Sequence, residues 1–233
     1  VILFKLISSS SPVRLKLNKV ALKQELFADI FSVALPASLS PIFTVGTVLV
    51  LTGLIGQFGT TAIAGYGIGS RVEFLLIPIV FSIGTAMTTM VGTNIGANNI
   101  SRAEQIGMVG AASSGLLSGL IGLILALTPD FWISFFTSDQ EVLSVTKIYI
   151  QILGVCYLFQ GVGLSLYFAS QGANSMKWPI VITATRFIVF TVAALLSVYY
   201  FATGVVGIFY SSAGAMTLFG ILMFIAVKKG AWR

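Results

Sequence analysis

Three charged side chains, Arg71, Glu73 and Arg186, fall inside long apolar stretches. Ionisable groups in such places fix helix register through an ion pair, or they serve a passage for ions and substrates. A charge at mid-bilayer costs roughly 2.5–3.5 kcal/mol, so each must face protein, a wet cavity or another charge. Arg71 lies about 15 Å along its stretch when that stretch is helical. Arg71 and Glu73 are two positions apart, and such residues do not face each other on a regular helix. Each needs a partner from another helix, and Arg186 is a candidate for Glu73. Glu73 is the acid placed deep in a stretch, which makes it the local candidate for proton coupling. Lys147 sits near a stretch end, where its stem carries the ammonium to water, and no role is assigned to it.

Uncharged polar residues recur in the same stretches: Thr44, Thr47 and Thr52, then Gln151, Gln160 and Gln171. A threonine hydroxyl can bond within its own helix. A glutamine has more groups to satisfy. The spacing from Gln160 to Gln171 is close to three helical turns and puts both on one face. That face lines a cavity or bonds across helices, and both readings stand.

Much chemistry is excluded. The chain has no histidine and one cysteine, Cys156. An internal disulfide, a Cys/His metal site and a Ser-His or Cys-His catalytic pair are ruled out. The spans hold no paired acids. No enzymatic activity, resident cofactor or metal is expected.

The elements that position these residues follow from composition. Of 233 residues, 57% are hydrophobic and 9% are charged. Soluble domains carry roughly 25% charged residues. A spanning helix needs about 20 mainly apolar residues. Stretches near 30–55, 61–91, 106–127, 145–170, 178–201 and 205–227 meet that length. An all-α integral membrane protein with a six-helix bundle is expected. The chain begins with Val1, and its first residues look like the tail of an earlier helix, so a fragment is expected.

Charge orients the bundle. The segment before the first span carries Lys5, Arg14, Lys16, Lys19 and Lys23. The second connection has Arg102, the fourth Lys177, and the tail Lys228, Lys229 and Arg233. The third connection has Asp130, Asp139 and Glu141 with no Lys or Arg. Alternate segments therefore hold ten Lys/Arg against zero. That asymmetry places both ends in the cytoplasm. The net charge of +6 reads as an orientation signal that also touches anionic membrane lipid, not as a nucleic-acid surface. Trp132, Trp178 and Trp232 fall near expected interfaces, as an aromatic belt would place them.

Small residues recur at four-residue spacing: Gly107, Ala111, Gly115 and Gly119, then Gly65 and Gly69, then Gly207, Ser211 and Ala215. Such stripes allow close helix packing, fixed or moving. Pro36 and Pro41 in the first span and Pro78 in the second are expected kinks or hinges. They are plain structural kinks or breaks at a binding site, and both remain open.

The run Pro36-Ala37-Ser38-Leu39 before a long apolar helix resembles the seventh helix of multidrug and toxic compound extrusion (MATE) transporters. Residues 63–73, Ile-Ala-Gly-Tyr-Gly-Ile-Gly-Ser-Arg-Val-Glu, resemble the start of their eighth. Val91-Gly92-Thr93-Asn94-Ile95-Gly96-Ala97, then Ala103, is similar to the family's VGxNxGA turn. Ser170-Gln171-Gly172-Ala173-Asn174 with Pro179 is similar to its loop after the tenth helix. The resemblance covers nearly the whole chain.

The resemblance implies a twelve-helix transporter of two lobes. Residues 30–233 would be the C-terminal lobe, and 1–29 the end of a preceding helix and the cytoplasmic inter-lobe linker. The missing N-terminal lobe would be a partner. The implied activity is antiport across the inner (plasma) membrane: organic compounds or drugs leave in exchange for H+ or Na+. One departure matters. Some members carry a glutamate where Thr44 stands, and an aspartate near Gln160. Both exchanges remove a titratable carboxylate, so coupling falls to Glu73 or to an acid in the other lobe. Arg71, Glu73, Arg186, Gln160, Gln171 and Thr44 are the pathway candidates. A lipid-linked oligosaccharide flippase is the alternative transport reading and needs Arg71 and Arg186 on a lumen. A non-transporting membrane scaffold is the alternative of another class and needs those polar groups fully packed.

Overall fold

A computed structural model describes residues 23–232. Lys5, Arg14, Lys16, Lys19 and Arg233, with most of the expected linker, lie outside the described residues.

Helix boundaries follow local chemistry. α1 covers Gln24–Gly56 and α2 covers Thr60–Phe74. α3 covers Leu76–Gly96. The gap between α2 and α3 has a covalent cause. Pro78 lacks an N–H and its ring crowds the carbonyl four residues back, which belongs to Phe74. α1, by contrast, stays helical through Pro36 and Pro41. α4 covers Ile100–Leu127, opened by Asn99, whose side chain accepts from the Arg102 amide. The short α5, Pro129–Ile133, has proline in its first turn, where the missing N–H has no helical partner to lose. α6 covers Gln140–Gly154, and Asp139 caps it by accepting from the Glu141 and Val142 amides at 2.9 and 3.3 Å. α7 covers Tyr157–Gly172, α8 Lys177–Tyr199 and α9 Gly204–Lys228.

Among the described residues five spans are long and apolar enough to cross a membrane, α2 and α3 counting as one. α6 and α7 together make a sixth, bent by 58°. The sequence reading has one continuous helix there. The break falls at Val155 and Cys156, where no proline stands. Connections 97–99 and 173–176 and the stretch after α9 share the basic end. Connections 57–59, 128–139 and 200–203 share the other. The chain divides into two compact units, 1–35 and 36–233. The described part of the first is the opening of α1, with Leu26, Phe27, Ile30 and Phe31 exposed.

Within the second unit α7 packs on α3, α4 and α9, α2 packs on α6, and α8 packs on α9. α4 turns mainly small residues inward and large apolar ones outward. On α4, Gly107, Ala111, Ser114, Gly115, Ser118 and Gly122 are buried, while Leu116, Leu120, Leu123 and Leu127 are exposed. In water this would be an aggregation surface. In lipid, which solvates leucine, close backbone approach is what holds helices together. Ser114 donates to the Gly161 carbonyl at 3.1 Å across the α4–α7 contact. A Cβ on Gly122 would strike the Gly154 carbonyl. Thr88 donates to the Phe168 carbonyl at 2.8 Å between α3 and α7. Trp232 departs from the aromatic-belt expectation. It is 6% exposed, lies against Gly107, and donates to Ser170 Oγ at 3.0 Å. Gly107, lacking a side chain, leaves room for the indole, so this tryptophan ties the stretch after α9 to the bundle.

Candidate functional site

α2 can approach α6 closely because it presents Gly65 and Gly69 to it. A Cβ at Gly65 would lie 2.7 Å from Val145 Cβ, and Thr146 donates to the Gly65 carbonyl at 3.1 Å. One turn on, Gly69 lies under the ring of Tyr149. That ring is held edge-on by Tyr66, at 5.6 Å between centroids, and by Phe209 of α9, at 5.1 Å. The phenol is thereby aimed back at α2. Its hydroxyl donates to Glu73 Oε2 at 2.6 Å. A donor on a carboxylate at this length is a charge-assisted hydrogen bond.

Glu73 is half-buried. Arg186 of α8 forms no ion pair with it, although the two interact electrostatically. The guanidinium instead lies over the Phe219 ring of α9, 5.2 Å from its centroid. The aromatic quadrupole offers a cation partial compensation for lost water. Tyr157 of α7 lies within electrostatic reach of Glu73. Its hydroxyl is buried and has no hydrogen-bond partner among the described residues. Burying a hydroxyl without a partner costs roughly 1–3 kcal/mol. α2, α6, α7 and α8 thus converge on one carboxylate, one guanidinium and three phenols, those of Tyr66, Tyr149 and Tyr157. An ionised carboxylate here attracts the Arg186 guanidinium, and a neutral one does not.

The other candidates lie apart or stand alone. Arg71 is exposed and has neither a hydrogen bond nor an ion pair among the described residues. Thr44 is exposed on α1 and donates to the Ser40 carbonyl of its own helix at 3.0 Å. Gln160 is half-buried with Oε1 unpartnered, and Gln171 is half-buried near the basic end of α7. The structure therefore brings Glu73 and Arg186 into one cluster and leaves Arg71 outside it. Sequence reasoning missed Tyr149 and Tyr157. The available signal was their chemistry, because a tyrosine in an apolar span needs a partner for its hydroxyl. Lys147 pairs with Asp130 at 2.7 Å on the surface. No group of three or more His, Cys, Asp or Glu able to hold a metal occurs among the described residues.

Comparison with known proteins gives one answer. The family model described as MatE matches residues 36–196. A probable multidrug resistance protein NorM of Thermotoga maritima is 28% identical over 88% of this chain and 44% of its own length. A probable multidrug resistance protein YoeA of Bacillus subtilis is 25% identical over 88% of this chain and 46% of its own. This chain spans about half the length of the curated relatives it matches. The fold is similar to the outward-facing structure of a multidrug resistance MATE family transporter of the MOP superfamily. There the TM-score is 0.88 at 18% identity, over 98% of this chain and 51% of that one. The chain belongs to the MatE family.

Proposed function

We propose that this chain acts as one half of a secondary active efflux transporter. Residues 30–233 would be its C-terminal lobe, and the first 29 residues would link it to the preceding one. Organic compounds, drugs among them, leave the cell in exchange for H+ or Na+, and both ends of the chain face the cytoplasm of the inner (plasma) membrane. The names of the relatives support multidrug export, and the Lys/Arg asymmetry supports the orientation. The observation that carries the coupling step is Glu73 held by Tyr149 inside a span of a MatE-family chain.

Arg71 supports a second lobe on its side of the bundle. An exposed guanidinium well inside a span cannot be left to lipid. A wet passage or a polar protein surface must meet it. Arg186 packs over Phe219, which supports the antiporter over an oligosaccharide-lipid flippase, whose cavity would call for both cations on its lumen.

The test is export by the full gene product carrying this chain, reconstituted in vesicles. A fluorescent organic cation should move against its gradient when a proton or sodium gradient is imposed. It should stop when the gradient is collapsed. Movement that ignores both gradients would overturn the antiport reading.

A further inference from the structure

The start of α8 and the end of α9 enclose a groove of about 250 Å³ at the basic end of the bundle. Ile182, Leu222, Ile225 and Ala226 form its apolar part, and Trp178 and Lys229 also line it. A hydrogen bond closes it at one side: Ser175 Oγ donates to the Ala231 carbonyl at 2.6 Å. Lys177 and Lys229 each lie two residues from that bonded pair, and Lys228 adjoins. All three lysines are exposed. Among the described residues none of the three ammoniums has an ion-pair or hydrogen-bond partner, and no acid lines the groove. Trp178 is 49% exposed, at the level where indoles favour the membrane–water boundary.

We propose that this groove is a binding site for an anionic phospholipid, its acyl chain against the apolar wall and its headgroup phosphate between Lys177 and Lys229. Charge complementarity selects this occupant. A helix from another protein segment would fill the apolar wall but strand the ammoniums. A soluble anion would pair with the ammoniums but leave the wall empty. An anionic lipid satisfies both. Juxtamembrane basic residues attract anionic headgroups by about fivefold in affinity per lysine.

The experiment is fluorescence quenching of the full-length protein in mixed micelles by phospholipids brominated on their acyl chains. The Trp178 signal is the difference between wild type and Trp178→Phe. Brominated phosphatidylglycerol should quench it at roughly 25-fold lower mole fraction than brominated phosphatidylcholine, from two lysines at about fivefold each. Lys177→Gln/Lys229→Gln should abolish that preference, and Lys177→Arg/Lys229→Arg should keep it, which separates lost charge from lost folding. Glycerol phosphate should not relieve the quenching. Equal quenching by both lipids in wild type would overturn the proposal. So would a preference that survives the glutamine pair, relief by glycerol phosphate, or no Trp178 quenching because protein covers the groove.

Discussion

The Tyr149 hydroxyl donates to Glu73 Oε2 at 2.6 Å across 76 residues of sequence, joining the bent α6–α7 span to the helix carrying the deep acid. Tyr149 is also packed edge-on between Tyr66 and Phe209. Its ring and its hydroxyl therefore do separable jobs. Tyr149→Phe keeps the ring and removes only the donor. The variant should lose about 0.6–2 kcal/mol of stability, the range for interhelical hydrogen bonds in membranes. Thermal unfolding in detergent reads this, and an unchanged midpoint would show that the bond contributes nothing.

Gly69 and Gly67 form a matched pair. A Cβ on Gly69 would strike Tyr149 and lie 2.9 Å from its Cε1, whereas a Cβ on Gly67 meets nothing within 4 Å. Gly69→Ala should push the ring off its seat, separate the hydroxyl from Glu73, and destabilise by about 1–3 kcal/mol, as overpacking does. Gly67→Ala should be neutral or slightly stabilising, because alanine is the better helix former. Parallel melting of the two variants separates steric placement from helix propensity. Equal effects would contradict the packing described.

The contrast between those glycines marks what the sequence could reveal. Spans are legible because hydropathy acts over some twenty residues at once. The small-residue faces are legible because helical period is fixed, and Gly65, Gly69, Gly115 and Gly119 do meet neighbouring helices. The partner of Glu73 was not legible. Charge complementarity pointed to Arg186, but Arg186 settles over Phe219 and a phenol takes the carboxylate. The bend of α6 and α7 was hidden for a related reason. No proline marks it, and it coincides with the approach of the Gly122 and Gly154 backbones, which depends on two helices at once. The deep placement of Trp232 likewise depends on Gly107, far away in the chain.

Arg186 over Phe219 carries a prediction of its own. Phe219→Leu retains an apolar side chain and removes the π face. It should cost about 0.5–2 kcal/mol through the cation–π contact, more if packing also suffers. Phe219→Tyr keeps an aromatic face and should cost less. The melting temperatures should rank wild type, tyrosine, leucine. Leucine equal to wild type would show that Arg186 draws nothing from the ring.

The Lys147–Asp130 pair should matter little, despite its 2.7 Å length. Its side chains are 41% and 74% exposed, and exposed pairs contribute about 0–1 kcal/mol. Lys147→Ala and Asp130→Ala should each shift stability by less than about 1 kcal/mol, and added salt should shrink the difference. Denaturation at low and high salt reads both effects. A larger, salt-insensitive loss would mean that the pair is buried in the assembled protein.

Glu73 is proposed to couple ion movement to export. The most direct measurement is efflux of a fluorescent organic cation from vesicles containing the full gene product, driven by a pH jump, for wild type and Glu73→Gln. Gln keeps the size and a hydrogen-bond acceptor for Tyr149 but cannot exchange a proton. The pH-driven rate should fall at least about tenfold, equivalent to roughly 1.4 kcal/mol, while equilibrium binding of the same cation persists. An undiminished pH-driven rate in Glu73→Gln would contradict it and return Glu73 to a structural role.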